Sequence, residues 1–179
     1  MGVNVQVVFT KICAVDLKSG ILCPRCEEKV KSGEVSELDL KVAETLLEME
    51  DSYPALQKIH FHKSIESGNS LIILIDKRDV PSLQNYGGKI LREIAEKTRK
   101  RKVRIMGYNE GTRNFLENLF APASVLAINT LWLPDGSTET KAILPRRDVR
   151  RLPANVEVLK ELAKNIQNIT LRVEFESSR

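Results

Sequence analysis

The chain has 179 residues, a formal net charge of +4, 42% hydrophobic and 29% charged side chains, which is room for two small modules and a short extra piece, with enough apolar content for their cores. No run of about 18 apolar residues occurs, which argues against a membrane-spanning helix. The first residues also lack the charged start and long apolar core of a secretory signal, so a soluble, cytoplasmic protein without a membrane partner is expected.

In chain order, residues 1–35 hold all three cysteines. Cys23-Pro24-Arg25-Cys26 is a C-x-x-C knuckle, and Cys13 lies ten positions upstream. Such a turn presents two thiolates to one ion, and zinc takes four ligands in a near-tetrahedral array. Cys13, Cys23 and Cys26 are therefore candidate metal ligands and zinc the candidate cofactor. The fourth ligand is open between Asp16, in a second knuckle Cys13-Ala14-Val15-Asp16, and His60 or His62. A metal-free thiol or disulfide pair is the alternative.

Residues 36–109 follow as a second module. Ser36-x-x-Asp39 has the form of a capping box, and Leu38, Val42, Leu46 and Met49 recur at helical spacing until Tyr53-Pro54 interrupts. The alternation over 58–62 and the apolar run over 70–76, with Ser67-Gly68-Asn69 between, predict a hairpin. A short helix near Val80, the loop Asn85-Tyr86-Gly87-Gly88, a helix with Ile90, Leu91, Ile94 and Ala95 on one face, and a strand over 102–107 complete it. Residues 110–179 form a third module along the same path: a helix over 112–120, strands over 124–133 and 138–144 joined through Asp135-Gly136, a helix over 156–166 and a strand over 170–175. Trp132, among alternating apolar residues, is expected in the core. The fold class is α+β, with two units of a three-stranded sheet and helices on one face, preceded by the small cysteine module.

The two larger modules repeat in sequence. Lys77-Arg78-Asp79-Val80 returns 69 positions later as Arg146-Arg147-Asp148-Val149, while Ile90-Leu91-Arg92-Glu93 returns after 68 as Val158-Leu159-Lys160-Glu161. The lost residue falls in the connecting loop, so that loop is where the copies differ in chemistry. A period near 70 residues is too long for a solenoid unit and indicates a duplicated domain.

Charge is unevenly placed. Residues 35–76 carry three basic and eight acidic side chains, whereas residues 77–104 carry ten basic and three acidic. Within the second stretch Lys97, Arg99, Lys100, Arg101, Lys102 and Arg104 form a dense cluster, and Arg146, Arg147, Arg150 and Arg151 form another at the repeat position of Lys77-Arg78. Such density favours a polyanion, because each neutralised phosphate releases condensed counterions.

The element order, with a glycine-containing loop between two helices, resembles the type II KH domain. The tandem pair, with Leu119-Phe120-Ala121-Pro122-Ala123-Ser124-Val125 entering the second copy, resembles the archaeal NusA-like transcription elongation and termination factors over residues 38–176. The resemblance implies that the loop clamps single-stranded RNA and that RNA polymerase is a partner. Asn85 stands where the family has the first glycine of Gly-x-x-Gly, and Gly88 keeps the second. The implied RNA contacts are Asn85, Tyr86, Gly87, Gly88, Lys89 and Arg92, extended by Arg99, Lys100, Arg101 and Lys102. In the second copy Leu152-Pro153-Ala154-Asn155 has no glycine, leaving Arg150 and Arg151 as its phosphate contacts. The alternatives are a ribosome-associated factor and a protein-interaction adaptor whose degenerate loops no longer grip RNA. No catalytic constellation stands out, and an enzyme is not expected.

Overall fold

The computed structural model describes residue 8, residues 10–86 and residues 88–176; Gly87, expected in the first loop, lies outside them. The chain divides after Tyr108 into two compact units. No helix among the described residues is long and apolar enough to cross a membrane.

The first unit opens with two short helices, α1 (Ala14–Ser19) and α2 (Pro24–Lys31), which residues 1–35 had not announced by periodicity. Helix α3 (Glu37–Met49) then starts on the expected capping box: Ser36 Oγ accepts from the Asp39 amide at 3.0 Å, and Asp39 Oδ2 accepts from the Ser36 amide at 2.9 Å. Asp39 does more than cap. Its other oxygen, buried, accepts from the Ser64 amide at 2.5 Å and the Ser64 hydroxyl at 2.7 Å, tying the helix start to the first strand.

That strand, β1 (Phe61–Ser67), begins later than the alternation over 58–62 suggests. Pro54 opens a 3-10 helix, Pro54–Lys58, with Leu56 and Ile59 both buried. Ile59, just after that helix, and Phe61, at the strand start, are both buried, so the apolar alternation begins before the strand does. Strand β2 (Ser70–Asp76), helix α4 (Val80–Gln84), helix α5 (Lys89–Thr98) and strand β3 (Lys102–Tyr108) follow. The sheet order is β1-β2-β3, with β1 antiparallel and β3 parallel to the central strand. Val42, Leu46 and Met49 of α3 and Ile90 and Ile94 of α5 share one core with Leu71, Ile73 and Ile75 of β2. Each such side chain contributes roughly 1.5–3 kcal/mol of burial free energy. Ile12, Leu17, Cys26 and Val35 join the same core, so the cysteine segment is packed into the first unit.

The second unit repeats the path with α6 (Thr112–Phe120), β4 (Ala127–Trp132), β5 (Thr138–Leu144), a 3-10 helix Arg146–Arg151, α7 (Val156–Gln167) and β6 (Leu171–Phe175). Its sheet order, β4-β5-β6, repeats the antiparallel and parallel pairings. The register carries the sequence offsets into space. Ile73 pairs with Ile105, and Ala142, 69 positions beyond Ile73, pairs with Val173, 68 positions beyond Ile105. The core is built from Phe115, Leu116, Leu119 and Phe120 of α6, Leu159 and Ala163 of α7, and Ala142 and Leu144.

Trp132 is not in that core. It ends β4 opposite Thr138 and is 79% exposed. Alternation alone does not report where a covering helix stops.

The matched motifs also do matched work. Asp79 Oδ2 accepts from the His60 amide at 2.8 Å, and Asp148 Oδ2 accepts from the Ser124 amide at 2.9 Å. In both units the aspartate after the central strand anchors the chain entering the first strand. Asp148 is almost wholly buried, and the Ser124 amide holds its carboxyl below the usual carboxylate range, with Arg151 adding to the effect.

Candidate functional site

The first loop is built around Gly88. Helix α4 ends at Asn85, which keeps right-handed helical angles, and Gly88 precedes α5 at φ 79°, the left-handed region that favours glycine. A Cβ placed on Gly88 would meet no atom within 4 Å, so the space over this turn is open. No side chain caps α5. Lys89 and Arg92, in its first turn, are exposed. The Lys89 amide donates to the Tyr86 carbonyl at 3.1 Å, and the amides after it have no side-chain cap; with the positive end of a helix dipole and two cations they suit an anion.

Beside this turn lies a cleft of about 220 Å3 lined by Val80, Leu83, Gln84, Ile90, Leu91 and Ile105 together with Gly88. Its walls come from α4, α5 and β3 and are mainly aliphatic, so a flat apolar group fits next to the anion-favouring turn. Tyr86 faces elsewhere. It packs against the core of the first unit, and its ring meets Tyr53 edge-on at 5.4 Å and 84°. Tyr53 in turn donates to Glu93 at 2.9 Å.

The second loop is constructed differently. Asn155 stands at the N-cap of α7, and its side chain accepts from the Val158 amide at 2.8 Å. The helix start that is uncapped in the first unit is satisfied by the chain itself here. Arg150 is exposed on the 3-10 helix, while Arg151 pairs with buried Asp148 at 3.2 Å.

The basic cluster separates into two groups. Lys97 pairs with Glu48 at 3.0 Å and Lys100 pairs with Glu66. Arg104 is half-buried on β3, and burial draws it below the usual guanidinium value. Arg99, Arg101 and Lys102 are exposed. Arg99 closes α5 at φ 56°, the same left-handed cap that Asn168 makes on α7.

The cysteines converge. Ligand atoms of Cys13, Asp16, Cys23 and Cys26 all lie within 4.8 Å of one another, close enough to hold a metal ion. Local folding explains it: Cys13 is the N-cap of α1, Cys23 is the N-cap of α2 with Pro24 next, and Cys26 sits in the first turn of α2. The Cys13 amide donates to Cys26 Sγ at 3.4 Å, and the Cys23 amide donates to Asp16 Oδ2 at 2.9 Å. Asp16 is buried. Hydrogen bonds, first from Cys26 and then from Cys23, hold its carboxyl below the usual range. Its acceptance of the Cys26 proton, with burial, pushes that thiol up to about 12. Of the fourth ligands considered, Asp16 is the one brought to the cluster. His60 lies beside Asp79 at 3.2 Å, and His62 stacks on Tyr108 at 4.3 Å, its pKa lowered chiefly by burial.

No family model and no curated protein matches the chain. A crystal structure of APE1850 is similar to it with a TM-score of 0.54 and 14% identity, covering 74% of this chain and 95% of that one. At this identity the likeness concerns the fold alone.

Proposed function

We propose that the protein binds single-stranded RNA through the first unit, as one of two tandem type II KH domains, and acts as a NusA-like factor in transcription elongation or termination. The observation that carries the reading is the junction of two features at one place. The open, uncapped turn at Gly88 suits a phosphate, and the aliphatic cleft beside it suits a base. Lys89 and Arg92 add charge at the turn. Arg99, Arg101 and Lys102 supply exposed cations at the other end of α5. The shared order of helix, two strands, a short helical turn (α4 or the 3-10 helix Arg146–Arg151), helix and strand supports the same reading.

The second unit, with its start of α7 capped by Asn155 and Arg151 engaged with Asp148, acts chiefly as scaffold in this reading. Crosslinking in the native host followed by sequencing of the bound RNA tests the proposal. Nascent transcripts are the expected result. Ribosomal RNA would instead favour a ribosome-associated factor, and absence of salt-dependent RNA binding by the purified protein would favour the adaptor.

For the cysteine cluster we propose zinc. Three thiolates and one carboxylate suit its preference for four ligands of sulfur and oxygen or nitrogen type. Bound there, the ion would join the starts of α1 and α2, fixing a segment too short to form a core of its own. Metal analysis of protein purified without chelator should find about one zinc per chain. Cys23→Ser should lose it and loosen residues 10–35.

A further inference from the structure

We infer that the second unit carries its own site for the phosphate backbone of RNA, formed by Arg146, Arg147 and Arg150 on the 3-10 helix that follows β5. The inference goes beyond the scaffold role given to this unit above, and it rests on the RNA reading for the identity of the ligand. Its basis is a difference between the two copies at a place other than the loop.

In the first unit the turn after the central strand neutralises its own arginine. Arg78 donates through Nε to Asp76 Oδ1 at 3.1 Å and through Nη2 to Asp76 Oδ2 at 3.1 Å, and its amide donates to Asp76 Oδ1 at 3.0 Å. One carboxylate thereby fills the fork of the guanidinium. In the second copy Pro145 stands in the place of Asp76 and Arg147 in the place of Arg78. Proline offers no carboxylate, and Arg147 is exposed with no hydrogen bond or ion pair among the described residues. The same turn adds cations where the first unit has none, with Arg150 and Arg151 in the places of Pro81 and Ser82. Arg151 is taken by Asp148 at 3.2 Å. Arg146 and Arg150 are exposed and, like Arg147, unpaired among the described residues.

Single exposed arginines are commonly only solvated, and two observations set these apart. The first is concentration. Residues 146–151 hold four basic side chains and one acidic, whereas the rest of the second unit, within residues 109–179, holds six basic and eight acidic. Positive charge is gathered at one turn against a net acidic remainder, and an anion placed there relieves the mutual repulsion of the guanidinium groups. The second is arrangement. On a 3-10 helix residues three apart lie over one another, about 6 Å along the axis at roughly 2 Å per residue. Asp148 and Arg151 share one edge and pair with each other. Arg147 and Arg150 share the next, with neither paired. A row of cations suits a strand that repeats its negative charge at every nucleotide, and each guanidinium can offer two donors to one phosphate. Such contacts position a strand without reading its bases.

The test is a fluorescence-anisotropy titration of the full chain with labelled oligouridylate and oligoadenylate from low to physiological salt, with and without Gly88→Asp. Replacing Arg146, Arg147 and Arg150 with Gln should lower affinity for both oligonucleotides roughly tenfold in either background and flatten the logarithmic salt slope by about two, at ~0.7 per phosphate. Replacing Arg113, Lys160 and Arg172 with Gln removes the same charge from cations paired with Glu117, Glu157 and Glu174 and should change both quantities much less. Lysine at the three arginine positions should keep the slope and lose part of the affinity, because the charge stays and the fork is lost. Unchanged affinity and slope in the glutamine triple, or an equal loss in the paired set, overturns the inference. Loss confined to one oligonucleotide also refutes it, since a backbone site does not tell them apart. In the Gly88→Asp background, displacement of RNA by polyglutamate as readily as by unlabelled RNA overturns it in favour of an acidic protein segment. If Gly88→Asp alone leaves affinity unchanged, the reading of the first loop fails, and the arginine variants still decide this one.

Discussion

The starts of α5 and α7 occupy matching places in two copies of one fold, yet one is open and the other is closed by its own sequence. Before α5 stands Gly88, left-handed, with empty space above it and no side-chain cap. Before α7 stands Asn155, in an extended conformation, its side chain already accepting from the Val158 amide. The second loop is one residue shorter and has no glycine, and there the helix end is satisfied internally, whereas in the first unit it is suited to an external anion. The two units share the scaffold, including the register on the parallel strand, and differ at this junction.

The sharpest way to break the comparison is to place a negative charge at each junction. Gly88→Asp should reduce affinity for single-stranded RNA roughly a hundredfold, about 2.7 kcal/mol, because the carboxylate occupies the place of a phosphate. Ala154→Asp should change it little. Gly88→Asn carries the left-handed backbone cost without the charge and should fall between them. Equal losses from Gly88→Asp and Ala154→Asp in a binding titration would remove the distinction between the loops.

The matched aspartates offer a second contrast, in stability. Asp148→Ala leaves the Ser124 amide without its acceptor and should cost the second unit about 2 kcal/mol, read as faster hydrogen exchange in α7 and β5. The sign with pH follows from its depressed pKa. Its contribution is fully present above the unfolded-state value, near 3.9, and is lost as pH falls through the lower folded-state value. The acid limb of the unfolding curve of the second unit should therefore flatten in the variant. An unchanged acid limb would show that the anchor does not depend on charge.

Much of this architecture was legible in the chain. The capping box at Ser36, the order of elements and the loop deletion depend on neighbours a few residues apart, and they reappear in the coordinates as a helix start, a topology and a register. What was not legible depends on distant partners. Lys97 and Lys100 belong to a basic run in sequence, yet each is paired across the fold, with Glu48 and Glu66. Tyr86 sits in a loop by sequence but, partly buried against the core, meets Tyr53 edge-on. Asp16 and the two histidines were equal candidates as fourth ligand until α1 and α2 brought Asp16 alone to the thiols.

That pairing refines what the basic cluster should do. Replacing exposed Arg99, Arg101 and Lys102 with Gln should lower RNA affinity about tenfold and flatten the logarithmic salt slope by roughly two, at about 0.7 per phosphate for a single strand. Replacing Lys97 and Lys100 instead should alter the slope less, since their charges are already matched within the unit. A slope that responds equally to both sets would mean that the ion pairs open when RNA binds.

The smallest expected effect concerns the cap itself. Asn155→Ala removes the acceptor for the Val158 amide and should cost the second unit about 1 kcal/mol, with Asn155→Gly costing less. RNA affinity should not change, because uncapping alone restores neither the left-handed glycine nor the missing residue of the loop. This outcome separates two explanations of why the second junction would not bind RNA in the proposed reading. If the cap were the sole obstacle, Asn155→Ala would create a new salt-dependent RNA or phosphate contact in the second unit, and the variant would bind more tightly than the unaltered chain. Unchanged affinity with a measurable loss of stability would place the difference in the loop's backbone path, with Asn155 as the residue that stabilises the shortened form.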